Sequence, residues 1–180
     1  MHVTLMRHFK VKYTWKRRYT PQGFRTAQND YDEADVLDQN IVLENRFQKV
    51  IVSNLKRTLL TLHHVLGACA YQKTELLNEI PMEPFTDKER DYGLASLIVM
   101  ARVQWFVNSR KQKEPRRESM RRASKFVEEF LNEEGNYLII GHGFFFRLLS
   151  RELLKHGFKG KAINYLGNGE QVTYERMKLS

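Results

Sequence analysis

A single cysteine, Cys69, stands in a chain of 180 residues. One thiol excludes an internal disulfide framework and a thiolate metal site, and it suits a reducing compartment, so a cytoplasmic location is expected. No apolar run reaches the roughly eighteen residues of a membrane helix, and no membrane partner is expected. In the opening "MHVTLMRH", Arg7 interrupts any signal-peptide apolar region. Internal repeats and low-complexity tracts are absent. Acidic residues are in deficit: Asp+Glu number 21 against 30 Lys+Arg, a net charge of +9. That surplus draws in anions, whether phosphorylated small molecules, nucleotides, nucleic acid or acidic lipid head groups, without choosing among them. Much of it lies in "KVKYTWKRR" (Lys10 to Arg18) and "RKQKEPRRESMRR" (Arg110 to Arg122), whose plainest reading is a solvated loop or helix face. The second cluster has no interleaved aromatic residue, which argues against a nucleic-acid partner.

What is present is an ordinary globular composition, 42% hydrophobic and 28% charged. The length suits one domain over 1–180 with a full-sized core. "VTLMR" (Val3 to Arg7), "KVIVSN" (Lys49 to Asn54) and "NYLIIG" (Asn136 to Gly141) read as short buried strands. A helical pattern follows each of the last two, which predicts an α/β fold with a mostly parallel sheet. After the second strand, Leu55, Leu59, Leu62, Leu66 and Cys69 form one apolar stripe, with Ser53 or Asn54 as the cap. After the third, Phe145, Leu148, Leu149 and Leu153 form another, stopping near Gly157. "TDKE" (Thr86 to Glu89) has capping-box spacing and predicts a helix running towards Val107. Pro115 opens a further helix with Met120, Ala123, Val127 and Phe130 on one face. "QVTYERM" (Gln171 to Met177) alternates like a final strand, and Glu75 to Leu77 is a candidate short one. Residues 13 to 45 read as a long excursion with one helical stretch, Phe24 to Ala34. Trp105, Phe106 and the run Phe144 to Phe146 are expected in the core, with Phe144 able to line a pocket. His63 and His64 read as structural.

Three polar groups fall at the C-terminal ends of the three strands: Arg7 and His8; Ser53, Asn54 and Arg57; Gly141, His142 and Gly143. That edge of a parallel sheet is where ligands bind. Two arginines and two histidines would therefore meet on one edge, facing an anion. Arg57 falls in the first turn of its helix, where the dipole disfavours a cation unless a dianion is present. The glycines of "GHG" permit a tight strand-to-helix turn and a close ligand. Such a group suits phosphoryl transfer to an imidazole nitrogen, with guanidinium groups on the transferring oxygens. A leaving alkoxide needs a proton, so a carboxylic acid belongs nearby. "LLNEIPMEP" offers Glu79, with Glu83 as the competitor.

"LMRHF", "VIVSNLKRTLLT", "LNEIPMEP" and "YLIIGHGFFFRLLSREL" resemble, in order, the signature blocks of the histidine phosphatase superfamily, with its phosphoglycerate-mutase-like fold. The resemblance implies a three-layer α/β/α sandwich and chemistry with no metal or cofactor. It implies that His8 is the nucleophile forming a phosphohistidine, and that Arg7, Arg57 and His142 bind the phosphoryl group. It places the acid on Glu79, and the expected partner is a small phosphorylated substrate.

The chain departs from the family pattern in three ways. Phe9 stands where the family has glycine, and a ring there is expected to narrow the pocket or stack on a substrate. The usual asparagine is missing from "FKVKYTWKRR", leaving Lys10, Lys12, Arg17 or Arg18 as substitutes. Asn54, Gly143 and Phe144 are further candidates for secondary contacts. The glutamate block lacks the Gly-rich tail of mutases, which favours a phosphomonoester phosphatase. The alternatives are a protein phosphohistidine phosphatase, a mutase-type phosphotransferase, and a catalytically silent phosphate- or nucleic-acid-binding protein.

Overall fold

The structure is a computed structural model, and it describes residues 1–41, 43 and 46–177. Its centre is a five-stranded sheet in the order β4-β3-β6-β1-β7, formed by β1 (His2–Arg7), β3 (Lys49–Ser53), β4 (Gln72–Thr74), β6 (Asn136–Gly141) and β7 (Gln171–Glu175). β4, β3, β6 and β1 run parallel, and β7 closes the edge antiparallel to β1. β1 and β6 pair from His2 and Asn136 to Arg7 and Gly141, so their C-terminal ends lie level.

The inner strands are apolar at nearly every position because both faces are covered. One face carries Val3, Leu5, Ile51, Tyr137 and Ile139 into a core with α4 (Arg116–Phe130) and α5 (Gly143–Lys155). The other carries Met6, Val50, Val52, Leu138 and Ile140 onto α2 (Lys56–Leu66). A third cluster joins α1 (Pro21–Glu33) to α3 (Leu94–Phe106) through Phe24, Ala27 and Leu97. The chain leaves β1 towards the α2 face and leaves β6 into α5 on the opposite face. The ends of β1 and β6 are therefore a switch point, where a crevice opens.

Several predicted elements need correction. "TDKE" starts no helix: the Thr86 hydroxyl accepts only the Lys88 N–H, and Asp87 is held by Arg25 and Lys111. Tyr92–Gly93 (β5) instead pairs with Arg18–Tyr19 (β2), and α3 begins only at Leu94. Glu75–Leu77 is a turn of 3₁₀ helix capped by Thr74, and the edge strand lies just before it. Phe106 is 58% exposed, whereas Trp105 is buried with its indole N–H on Ser119. The excursion helix is α1, with Pro21 in its first turn and the Thr20 hydroxyl accepting the Gly23 N–H. Of the excursion, Val42, Glu44 and Asn45 lie outside the described residues, as do residues 178–180.

Candidate active site

A cleft of about 410 Å³ opens at the switch point, with Arg7, His8, Arg57 and Glu79 among its walls. β1 delivers the first two. The Arg7 Nη1 donates to the Leu166 carbonyl at 2.7 Å, and its guanidinium packs against Gly143, where a Cβ would stand 3.0 Å from Nε. Gly143 is therefore the residue that lets Arg7 approach the start of α5.

His8 is only 3% exposed. Its Nδ1 lies 2.7 Å from the Phe9 carbonyl oxygen. A carbonyl only accepts, so Nδ1 carries the proton and Nε2 keeps its lone pair. Burial, then the charge of Arg57, then that of Arg7 push the imidazole down to about 3, against a partial upward pull from the Phe9 carbonyl. The ring is neutral throughout the physiological range.

His142 lies beside it, the ring centroids 5.1 Å apart. It is fully buried, and burial first, then Arg57 and His8, hold it well below its ordinary value. Its Nε2 contacts the Ser53 hydroxyl at 2.7 Å, and Ser53 in turn contacts Thr58 at 3.1 Å. Ser53 also accepts the Leu55 N–H, so it joins the end of β3, the start of α2 and His142. No side chain caps α2 in the usual manner; its N-cap is Leu55 rather than Ser53 or Asn54.

Arg57, in the first turn of α2, is buried and forms an ion pair with Asp32 of α1 at 2.5 Å. The Tyr31 ring lies against its guanidinium, 5.1 Å away. The carboxylate takes up the Nη1 donor of Arg57. Three buried polar side-chain atoms have no hydrogen-bond partner among the described residues: Arg7 Nε, Arg57 Nε and His142 Nδ1. All belong to this group of side chains, so the chain leaves part of its own polar capacity here unused.

Glu79 follows the 3₁₀ turn and reaches the N-terminus of α5. One carboxylate oxygen accepts the Ile80 and Phe145 N–H groups at 2.9 and 3.0 Å; the other accepts Phe144 N–H at 3.2 Å. These three donors orient the carboxylate on the cleft wall. Glu83 also lines the cleft but is bound by Lys113 at 2.7 Å and Arg25 at 3.0 Å. Burial pushes its carboxyl up, but those two cations together outweigh it and hold it below its ordinary value. Glu83 is thus tied to two cations, whereas Glu79 is held by backbone N–H groups alone.

Other expected contacts are not brought to the cleft. Phe9 points into the sheet core with no exposure, its N–H on Thr61, so it neither narrows the cleft nor stacks on its contents. Lys10 is exposed, with its carbonyl on the Leu37 N–H, and Asn54 is exposed with its N–H on Asn78; neither lines the cleft. Phe144 supplies its backbone to Glu79 while its ring contacts Trp105, away from the cleft. Lys12, Arg17 and Arg18 are likewise not among the lining residues. Sequence reasoning missed Tyr31, Asp32 and Arg102, all of which line the cleft. Phe24, Ala27 and Tyr31 share helical spacing, a signal that could have found Tyr31. Among the described residues, no group of three or more His, Cys, Asp or Glu could hold a metal ion.

The fold is that of known phosphatases. The structure superposes on a mycobacterial glucosyl-3-phosphoglycerate phosphatase with a TM-score of 0.64 at 16% identity, covering 96% of this chain and 88% of the other. The alpha-ribazole phosphatase of Shigella flexneri gives 0.58 at 19% identity, covering 96% and 89%. A phosphoserine phosphatase of Entamoeba histolytica gives 0.56 at 16% identity, again covering 96% and 89%. No curated protein matches the sequence. The family model for the histidine phosphatase superfamily (branch 1) matches residues 3–173, and the chain belongs to that superfamily.

Proposed function

We propose that the protein is a phosphatase that hydrolyses small phosphomonoesters through a phosphohistidine on His8. The observation that carries this reading is the state of His8: its Nδ1–H is committed to the Phe9 carbonyl, and Nε2 is unprotonated in a cleft walled by Arg7, Arg57 and Glu79. The volume of the cleft, about 410 Å³, supports a small substrate. The Nε2 lone pair attacks phosphorus, and the bond from phosphorus to the ester oxygen breaks. Arg7 and Arg57, on the cleft wall, stabilise the charge on the equatorial oxygens, with His142 buried behind them beside His8. Glu79 gives its proton to the leaving oxygen. Water then attacks the phosphohistidine, Glu79 takes back a proton, and the P–N bond breaks to release inorganic phosphate. No step draws on a metal.

The test is hydrolysis of para-nitrophenyl phosphate with EDTA present. Wild type should turn over, and His8→Ala should lose activity to background; turnover retained in His8→Ala would sink the reading. Glu79→Gln should slow alkyl phosphates by roughly 10²-fold or more while affecting para-nitrophenyl phosphate much less, because only the poor leaving group needs the proton. Equal slowing of both would remove Glu79 from the role of acid.

A further inference from the structure

A second cavity, about 430 Å³, opens between α3, α4 and α5. Arg102, Arg116, Arg147 and Arg151 converge on it from three helices. Among the described residues, none of these four has a carboxylate within ion-pair distance; the pairs formed by other arginines are to Asp32, Glu83, Asp87 and Glu114. The acid on this wall, Glu152, is neutralised by Lys155 at 2.8 Å.

Three of the four cations lie against aromatic rings. Arg102 lies 3.7 Å over the Phe144 ring, Arg147 5.3 Å from the same ring, and Arg116 4.6 Å over Phe106. Arg151 is steadied by the Arg147 carbonyl at 2.6 Å and Asn164 at 3.2 Å. These contacts restrict the guanidinium groups; Arg102 spends one N–H on the Ile80 carbonyl at 3.2 Å and keeps the others to donate. Met120, Ala123 and Leu148 supply an apolar floor. Like charges held together in this way repel; burial first, and then Arg147, lower Arg102 despite the upward pulls of Glu79 and Glu114. An anion relieves that repulsion, and an apolar body fills the floor. The volume is that of a small-molecule site.

We propose that this cavity is a second ligand site that takes a small amphipathic anion: a flat apolar body carrying a sulfonate, carboxylate or phosphate group. Arg102 also borders the catalytic cleft, but the other three arginines do not, so the two sites are adjacent and separately occupied.

The probe is 1-anilinonaphthalene-8-sulfonate, titrated by fluorescence into wild type and into His8→Ala. Binding in the second protein is independent of whether the phosphatase reading holds. One equivalent should bind, and the dye should leave the KM for para-nitrophenyl phosphate unchanged. The double variant Arg116→Ala/Arg151→Ala should weaken the dye by about tenfold or more. Met120→Trp, which fills the cavity and keeps every charge, should also abolish binding. Hexyl phosphate and hexanoate as competitors then tell which anionic group is preferred. Dye affinity unchanged in both variants would overturn the proposal, as would a raised KM, which places the dye in the catalytic cleft. Sedimentation with phosphatidylglycerol vesicles, with no saturable dye binding, would assign the arginines to a membrane surface instead and overturn it equally.

Discussion

Burial and two guanidinium groups act on His8 in the same direction, and that has a consequence for stability as well as for reactivity. Its folded value of about 3 lies below the ordinary 6.5. Between those values the unfolded chain binds a proton at this position and the folded chain does not. The stability tied to the neutral ring is therefore complete above about pH 6.5 and is lost as pH falls towards 3, and His142 acts with the same sign. Urea unfolding at pH 7 and pH 5 should show wild type losing about 2 kcal/mol through His8, with His142 adding to the loss. His8→Asn should lose about 2 kcal/mol less than wild type; an unchanged loss would contradict the buried neutral ring. Asp32 is the second residue with a specific consequence. It is 41% exposed and holds Arg57 in place of a ligand, so the pair adds little to stability but competes with phosphate. Asp32→Asn should tighten product inhibition by phosphate about three- to tenfold, read from inhibition constants at constant salt. Weaker phosphate inhibition would mean that Asp32 aligns Arg57 rather than blocking it.

The start of α5 brings the separate blocks together. Its N–H groups hold Glu79, its N-cap is His142, and its first residue, Gly143, gives Arg7 room. Gly143→Ala should push the guanidinium aside, since the added carbon would meet Arg7 Nε at 3.0 Å while Leu166 holds the other end. kcat/KM should fall about 10- to 100-fold with little change in Tm; an unchanged kcat/KM would show that Arg7 is not positioned by this contact. Elements buried on both sides were legible in the sequence: β1, β3 and β6 stand where their apolar runs predict. α3 was legible only at its end, where the expected helix running towards Val107 stops at Phe106. Its apolar residues surround the helix, Val99, Val103 and Phe106 being exposed, so no stripe marked its inner face. Its start was obscured because the capping-box letters at Thr86 serve other partners, and a two-stranded ladder intervenes at Tyr92.

Across the molecule, the net charge of +9 is distributed between structural and free cations. Arg122, within the cluster that reads as solvated, binds Glu114 through two 3.0 Å contacts, donates to the Leu76 and Asn78 carbonyls and lies 4.2 Å over Phe145. It ties the start of α4 to the turn before Glu79. The exposed remainder should steer dianions. kcat/KM for a phosphomonoester should fall several-fold as KCl rises from about 0.05 to about 0.5 M, with kcat nearly constant, because exposed charges are screened far more than the half-buried Arg7 and the buried Arg57. A kcat that falls in step would point instead to a salt-sensitive site geometry. The three inner strands and the polar residues that follow them, Arg7, His8, Arg57 and His142, were readable from the chain alone, because apolar runs and the turns that end them are local properties. That Tyr31, Asp32 and Arg102 join them, that Phe9 turns into the core, and that four arginines meet between α3, α4 and α5 were decided only by tertiary packing. Each depends on which face one helix presents to another, and no local pattern carries that information.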